Sequence, residues 1–245
     1  EWFMQILKAS ETGILDEAQL AMLKRTMPEN EYEQEMECSF DAAITGAYYA
    51  KLIEAAEADG RITAVPYEPM LPVNTAWDLG IEDKTAIVFW QQMRGGALRV
   101  VDYYEASGFG LDHYAGVLDK RGYKYGKHYG PHDIAVRELG TGKSRLEVAR
   151  SLGLGFRVLP NLRIEDGINA VRMALPRCWF DVTKCGLMLE SLRQYREKID
   201  DKRNVSMGPL HDATSHAADA MRYMALALRE DDKMPSIKYP SLGLP

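Results

Sequence analysis

The chain is poor in cysteine and lacks long hydrophobic runs. Its 245 residues include three cysteines, Cys38, Cys178 and Cys185, which are odd in number and form no CxxC pair. This pattern argues against a disulfide framework or a cysteine-based zinc site, and we expect buried structural thiols in a reducing cytoplasm. No apolar run approaches the roughly 20 residues that a membrane-spanning helix requires. We therefore expect no association with a membrane.

A secretory signal is also missing, because no basic segment followed by an apolar core is visible from Glu1 onward. The first residue is not Met, so we expect the chain to be a piece of a longer protein. Hydrophobic residues make up 46% and charged residues 27% of the sequence, which is ordinary for a globular protein. The length allows one large domain, or a medium-sized domain with an extension.

The chain as a whole has no excess of positive charge, and its net charge is −6. The negative charge is concentrated in residues 1–70, which hold 5 Lys/Arg and 14 Asp/Glu, whereas residues 71–245 hold 25 and 22. Residues 120–150 hold 8 basic and 3 acidic side chains. Because attraction to phosphate is local, this basic stripe is able to bind DNA. A solvated basic surface without a partner is the alternative.

A complete nucleotide-binding phosphate loop is absent. The segment Gly-Thr-Gly-Lys-Ser at 140–144 resembles the end of such a loop, but Arg137 stands where the pattern requires glycine. We therefore expect no bound nucleotide. A glycine-rich loop carrying Lys143 and Arg145 would instead contact a DNA backbone, together with Lys127 of the same basic stripe.

The hydrophobic pattern changes near residue 70, after a proline-rich passage. Residues 1–70 are predicted to be an acidic helical extension or linker, residues 71–232 an α/β domain, and residues 233–245 a flexible tail. Within the central segment, strand-like runs at 74–79, 85–90 and 97–104 are joined by short turns and predict an antiparallel meander. Later strands and helices alternate, which predicts parallel neighbours and a mixed sheet with helices on both faces. The later strands are predicted at 123–129 and 156–160, and the helices at 111–118, 144–152, 164–175 and 185–198.

Carboxylates follow two of the predicted strands. Asp78 ends the first strand, where an unpaired charge would be costly to bury, and Asp133 lies just past the strand at 123–129. Two divalent ions roughly 4 Å apart need several hard oxygen ligands from different elements. Both residues are therefore candidate metal ligands. The alternative is that each only stabilises the turn in which it lies. Asp83 either stabilises the turn after the first strand or orients the metal ligands without binding the metal itself.

The last predicted helix begins near His211 and carries a second group of candidates. Asp212, His216 and Asp219 are spaced by four and three residues, which places them on one helical face. Alternatively, Asp212 caps the helix and Asp219 pairs with Arg222 three residues later.

Two of these segments resemble the C-terminal nuclease domain of the large terminase subunit of tailed bacteriophages. One is Trp-Asp-Leu-Gly at 77–80, and the more specific one is Ser-His-Ala-Ala-Asp-Ala-Met-Arg-Tyr at 215–223. Upstream, Tyr-Glu-Gln-Glu at 32–35 with Cys-Ser-Phe at 38–40 is similar to the segment that precedes this nuclease. The resemblance covers most of residues 30–230.

This resemblance implies an RNase H-like fold and metal-dependent cutting of double-stranded, concatemeric viral DNA during genome packaging. It implies metal ligands at Asp78, Asp133 and Asp219, and Mg²⁺ or Mn²⁺ as a pair of ions. Asp212 and His216 are further candidate ligands because of their positions on the same helical face. The implied partners are DNA, a packaging ATPase domain of the same polypeptide, the small terminase subunit and the portal. The implied location is the cytoplasm of an infected bacterium.

Two other functions stay open. The spacing of His216 and Asp219 is similar to that of Holliday-junction resolvases of the same fold, which act as dimers on branched DNA. A non-catalytic DNA-binding or assembly module on this fold would bind DNA without cutting it.

Overall fold

The computed structural model describes residues 9–27, 32, 36, 46–80, 83–137, 142–200 and 205–233. In these parts the helices are α1 (Ala9–Thr12), α2 (Glu17–Thr26), α3 (Ala50–Ala58), α4 (Leu111–Arg121), α5 (Arg145–Ser151), α6 (Ile164–Ala174), α7 (Gly186–Gln194) and α8 (Ser215–Lys233). The strands are β1 (Ile62–Thr63), β2 (Val73–Asp78), β3 (Thr85–Gln92), β4 (Leu98–Ala106), β5 (Tyr125–Gly130), β6 (Phe156–Val158), β7 (Cys178–Asp181), β8 (Glu197–Asp200) and β9 (Val205–Pro209). Short 3₁₀ turns span His132–Ala135 and Leu175–Arg177.

Strands β1 to β7 form one mixed sheet in the order β1-β7-β4-β3-β2-β5-β6. Strands β2, β3 and β4 pair antiparallel, as the short turns between them predict. Strand β5 runs parallel to β2, β6 parallel to β5, and β7 parallel to β4. The predicted fold class, an antiparallel meander with parallel neighbours, is therefore confirmed. Strands β8 and β9 form a separate antiparallel pair.

Each face of the sheet is covered by its own apolar cluster. Helices α3, α6, α7 and α8 pack on one face, which we call the α8 face, with residues such as Ala76, Val88 and Met221 fully buried. Helices α4 and α5 cover the opposite face over Trp77 and Phe89. Because side chains alternate along a strand, β2 contributes to both clusters, and its even-numbered residues face α8.

A hydrogen-bond chain connects β2 to β5 on the face opposite α8. The indole Nε1 of Trp77 donates to Thr75 Oγ1 at 2.7 Å, and Thr75 Oγ1 lies 2.7 Å from His128 Nδ1. In this second contact either the threonine hydroxyl or the imidazole N–H is the donor, depending on the tautomer of His128. Burial lowers the pKa of His128 to about 4. This chain holds together the two strands that lead to Asp78 and Asp133.

The predicted domain boundary at residue 70 stays a prediction, and residues on the N-terminal side of it pack against the sheet. Residues 46–65 pack on the same core, because α3 buries Ile53 in the α8-face cluster and β1 pairs with β7 at the sheet edge. The predicted tail at 233–245 lies almost wholly outside the described residues. None of the described helices is both long enough and apolar enough to cross a bilayer.

Several predicted elements need correction. The helix expected to reach residue 198 ends at Gln194, and Glu197 begins strand β8. Strands β1, β7 and β9 have no counterpart in the sequence prediction. The last helix begins at Ser215 and not near His211. Cys178 and Cys185 are free and buried, as expected, whereas Cys38 lies outside the described residues.

Candidate active site

Asp78 lies at the end of β2 and faces helix α8. Its residue position continues the alternation of Asn74 and Ala76, and Ala76 is buried against the α8 face. His216, in the first turn of α8, places Nδ1 3.3 Å from Asp78 Oδ2. The Asp78 side chain is 19% exposed and that of His216 10%. The hydrogen bond to Asp78 raises the pKa of His216 above its ordinary value.

Asp133 reaches the same edge of the sheet by a different strand. Strand β5 pairs in parallel with β2, with Ala76 opposite Tyr129, so both strands end at this edge. Asp133 follows in the 3₁₀ turn His132–Ala135 and is solvent-exposed. The expectation that the neighbouring strand delivers Asp133 beside the end of β2 therefore agrees with the topology.

Asp219 lies one turn further along α8 than His216. Its Oδ1 is 2.7 Å from Arg222 Nη2, and the two side chains are 23% and 13% exposed. Burial raises the pKa of Asp219 to about 6; the charge of Asp78 also raises it, while Arg222 lowers it. Arg222 packs over α6 at Gly167, where a Cβ atom would lie 3.0 Å from Arg222 Cδ. The predicted pairing of Asp219 with Arg222 is thus present.

The phenol of Tyr223, on α8, is affected by the charges of all three candidate acids. Burial raises the pKa of its phenol, and the charges of Asp78, Asp219 and Asp133 each raise it further. A side chain on α8 is thus close enough to carboxylates from β2, α8 and the turn after β5 for each to act on it.

The donor chemistry of this cluster fits a hard divalent cation. Carboxylate oxygens are the ligands that Mg²⁺ and Mn²⁺ prefer, and the raised pKa of Asp219 shows that burial and neighbouring negative charge make its ionised form costly. Within the described ranges, however, no group of three or more His, Cys, Asp or Glu side chains is close enough together to hold an ion. Asp219 is held by Arg222 instead.

Asp212 and Asp83 lie at the rim of the cluster. The Asp212 carboxylate accepts hydrogen bonds from the backbone N and Oγ1 of Thr214, at 2.8 and 2.6 Å. It therefore shapes the turn before α8, which is close to the alternative role of a cap. Asp83 is 68% exposed, and its Oδ2 is 3.9 Å from His211 Nε2. The turn itself is tight at Gly80, where a Cβ atom would be 2.8 Å from the Asp83 carbonyl oxygen.

The three basic residues predicted to contact DNA have different environments. Lys127 Nζ pairs with Asp231 Oδ2 at 2.7 Å, so its charge is partly compensated within the protein. Lys143 is exposed, directly before the capping residue Ser144 of α5. Arg145 is half-buried and lines a mainly apolar cavity with Leu79 and neighbours from α4. DNA contact by all three stays a prediction.

The sequence prediction missed two residues near the acids, Lys84 and Glu105. Glu105 is opposite Ala86, which is in turn opposite Asp78, so the two acids lie in one row across three strands. Lys84 Nζ forms an ion pair with Glu105 Oε1. The strand signal at 97–104 ends just before Glu105, and strand register is needed to place it beside Asp78.

Solved structures with this fold are found among bacteriophage proteins. The large terminase of a thermophilic bacteriophage superimposes with a TM-score of 0.59 at 16% identity over 91% of this chain and 55% of that one. The complex of that large terminase with ATP-γ-S gives 0.57 at 16% identity, over 89% and 54%. The nuclease domain of the P22 large terminase gives 0.53 at 19% identity, over 71% of this chain and 94% of that one. No family model and no curated protein matches the sequence.

These likenesses define the fold. The chain has the RNase H-like α/β fold of phage large-terminase nuclease domains, which confirms the resemblance drawn from residues 77–80 and 215–223. It spans about half the length of the thermophilic phage's large terminase and nearly all of the P22 nuclease domain. The upstream similarity at 32–35 and 38–40 falls almost wholly outside the described residues.

Proposed function

We propose that this chain is the nuclease part of a phage large terminase: a metal-dependent endonuclease that cuts double-stranded concatemeric DNA during genome packaging. The observation that carries the proposal is the placement of three acids at one edge of the sheet. Asp78 ends β2 in contact with His216 of α8, Asp219 lies one turn further along α8, and Asp133 follows β5, which pairs in parallel with β2. The shared fold supports it, because the P22 structure of that fold is a nuclease domain.

Asp78, Asp133 and Asp219 would hold the divalent cations, with Asp212 and His216 as further candidates. Mg²⁺ or Mn²⁺, two ions in our proposal, would supply Lewis acidity to the phosphate and lower the pKa of the attacking water when bound. No protein nucleophile is required for this chemistry.

The chain's own residues have separable roles in this scheme. His216 fixes the orientation of the Asp78 carboxylate through their 3.3 Å contact. Arg222 holds Asp219 in place and neutralises it before a cation arrives. Tyr223 is half-buried on α8 and packs against the apolar cluster of that face. Lys143 and Arg145 would contact the DNA backbone without reading its sequence.

The remaining partners follow from the longer relatives. The large terminase of the thermophilic phage extends well beyond the region matched here, and its complex with ATP-γ-S shows that it binds a nucleotide analogue. We propose that a packaging ATPase domain belongs to the same polypeptide as this chain, and that the small terminase subunit and the portal are its assembly partners. The working location would be the cytoplasm of the infected bacterium.

The direct test is incubation of the purified chain with supercoiled plasmid in Mn²⁺, with and without EDTA. Conversion to nicked and linear DNA that EDTA stops supports the proposal. Binding without cutting in any divalent cation would indicate the non-catalytic DNA-binding module. A parallel reaction on a four-way junction and a linear duplex of equal length separates the resolvase alternative, which predicts strong preference for the junction.

A further inference from the structure

A row of charged side chains crosses the α8 face beside Asp78. Asp78 on β2 is opposite Ala86 on β3, and Ala86 is opposite Glu105 on β4. Neighbouring strands are about 4.8 Å apart, so the backbones at Asp78 and Glu105 are separated by roughly 10 Å. Ala86 itself is fully buried between them. Lys84 belongs to the same face, because it lies two residues before Ala86.

Glu105 fixes the position of the Lys84 ammonium. The Glu105 side chain is 7% exposed, and a carboxylate so deeply buried needs charged or hydrogen-bonding partners. It has two: an ion pair with Lys84 Nζ, and a hydrogen bond from Tyr103 Oη at 2.7 Å. An ammonium carries three N–H donors, and the contact with Glu105 uses one. Lys84 itself is 40% exposed, so its head group is anchored on one side and open to solvent on the other.

The open side of Lys84 faces a cleft that adjoins the acids. This cleft of about 380 Å³ is lined by Lys84, Asp83, His211, Asp212 and His216, among others. His216 is the residue that contacts Asp78, so one wall of the cleft is formed by the direct neighbour of that acid. Among the residues that line it, Lys84 has the permanent positive charge.

We propose that Lys84 binds a backbone phosphate of the DNA strand held at the acids, and that Glu105 and Tyr103 are the residues that position it. This inference rests on the proposed nuclease function and adds a named substrate contact to it. A strand cut at Asp78 must continue past the cut with one phosphate per nucleotide, and the cleft under His216 is a path along which its negative charge meets a cation. Lys84 acts on bound substrate as a charge contact, and it forms no covalent bond.

The test compares Lys84→Met with Lys51→Met, which removes the same charge from an exposed position on α3. In the Mn²⁺ reaction on a short linear duplex, Lys84→Met should raise KM about tenfold with kcat nearly unchanged, because a contact made equally in substrate and transition state is lost. In EDTA, binding of the same duplex followed by fluorescence anisotropy should show a salt slope smaller by about one. Lys51→Met should behave as wild type in both. Unchanged KM and salt slope in Lys84→Met would overturn the proposal.

Loss of Lys84 also leaves Glu105 buried without its cation, so a second variant separates contact from stability. In Lys84→Met/Glu105→Gln the neutral amide needs no cation and keeps its partner Tyr103, and the melting temperature should return towards that of wild type. KM should remain high if Lys84 touches DNA. Recovery of wild-type KM in the double variant would show that only local packing was lost. Lys84→Arg, which retains the charge, should keep KM within about threefold of wild type.

Failure of this inference and failure of the proposed function give different results. If the wild-type chain never cuts DNA in divalent cations, the nuclease function is wrong. The phosphate contact of Lys84 is then tested only by the DNA binding measured in EDTA by fluorescence anisotropy. If wild type cuts and Lys84→Met cuts with the same KM, the nuclease function stands and the phosphate contact is refuted.

Discussion

The hydrogen-bond chain between β2 and β5 predicts that the protein loses stability in mild acid. His128 is 8% exposed, its Nδ1 is hydrogen-bonded to Thr75 Oγ1, and Thr75 Oγ1 accepts from the Trp77 indole. Protonation of the imidazole places a buried charge beside Phe156. The perturbation is therefore a pH decrease from 7 to 4, compared between wild type and His128→Gln, whose amide is able to donate to or accept from Thr75 and takes up no proton in this range.

The magnitude follows from the pKa values. Burial lowers the pKa of His128 in the folded state to about 4, from 6.5. Between these values the unfolded chain binds a proton that the folded chain does not, so folding stability is fully present above pH 6.5 and is lost as the pH falls towards 4. The pKa values differ by about 2.5, and a difference of one corresponds to about 1.36 kcal/mol, so the free energy of unfolding should fall by about 3 kcal/mol. This is a large part of the 5–15 kcal/mol by which a typical domain is stable.

The assay is urea unfolding at half-unit steps between pH 7 and pH 4, followed by circular dichroism. The free energy of unfolding of wild type should fall more steeply with decreasing pH than that of His128→Gln, with the difference accumulating to about 3 kcal/mol. Equal slopes in the two proteins would refute a buried neutral His128. Because this side chain connects the strands that carry Asp78 and Asp133, acid should also open the candidate site before the global transition.

Two further predictions concern the candidate site. Asp219→Asn should abolish Mn²⁺-dependent cutting, because it removes a charged oxygen ligand, while Asp212→Asn should reduce cutting only in part, since its amide oxygen is able to accept the turn's hydrogen bonds; a Mn²⁺ titration of both variants checks this, and the reverse order of activities would exchange their roles. Replacing Lys143 and Arg145 together with Ala should weaken binding to all duplex sequences alike and reduce the salt slope by about one to two units. An unchanged slope in that double variant would place the DNA path elsewhere.

The long elements with clear hydrophobic periods are predictable from the sequence. The runs at 74–79, 85–90 and 97–104 correspond to β2, β3 and β4, and the apolar face of α8 is buried as the helical spacing indicates. The start of α5 is also predictable, because Ser144 and Glu147 form a capping box. These signals are local, so the sequence alone determines them.

Elements that depend on distant partners are not predictable in this way. Strand β7 has four residues and is a strand because it lies between β4 and β1, and β1 has two residues that carry no period. The local pattern at 197–198 predicts the end of a helix, whereas pairing with β9 makes it strand β8. In the candidate site, Asp78 and Asp219 are predictable from the sequence, because each has a recognisable position in its own strand or helix. The position of Glu105 beside Asp78 is not predictable without the register of β3 against both neighbouring strands. The ion pair of Lys84 with Glu105 is not predictable without the direction of the lysine side chain.

The central claim is that Asp78 belongs to a metal-dependent DNA-cutting site. The most direct measurement is the rate of plasmid cutting in Mn²⁺ by Asp78→Asn, with Asp119→Asn as the control for loss of an exposed acid on α4. We predict a loss of at least about a hundredfold in the Asp78 variant, no change in the control, and a folded circular dichroism spectrum for both. A wild-type cutting rate in Asp78→Asn would contradict the account.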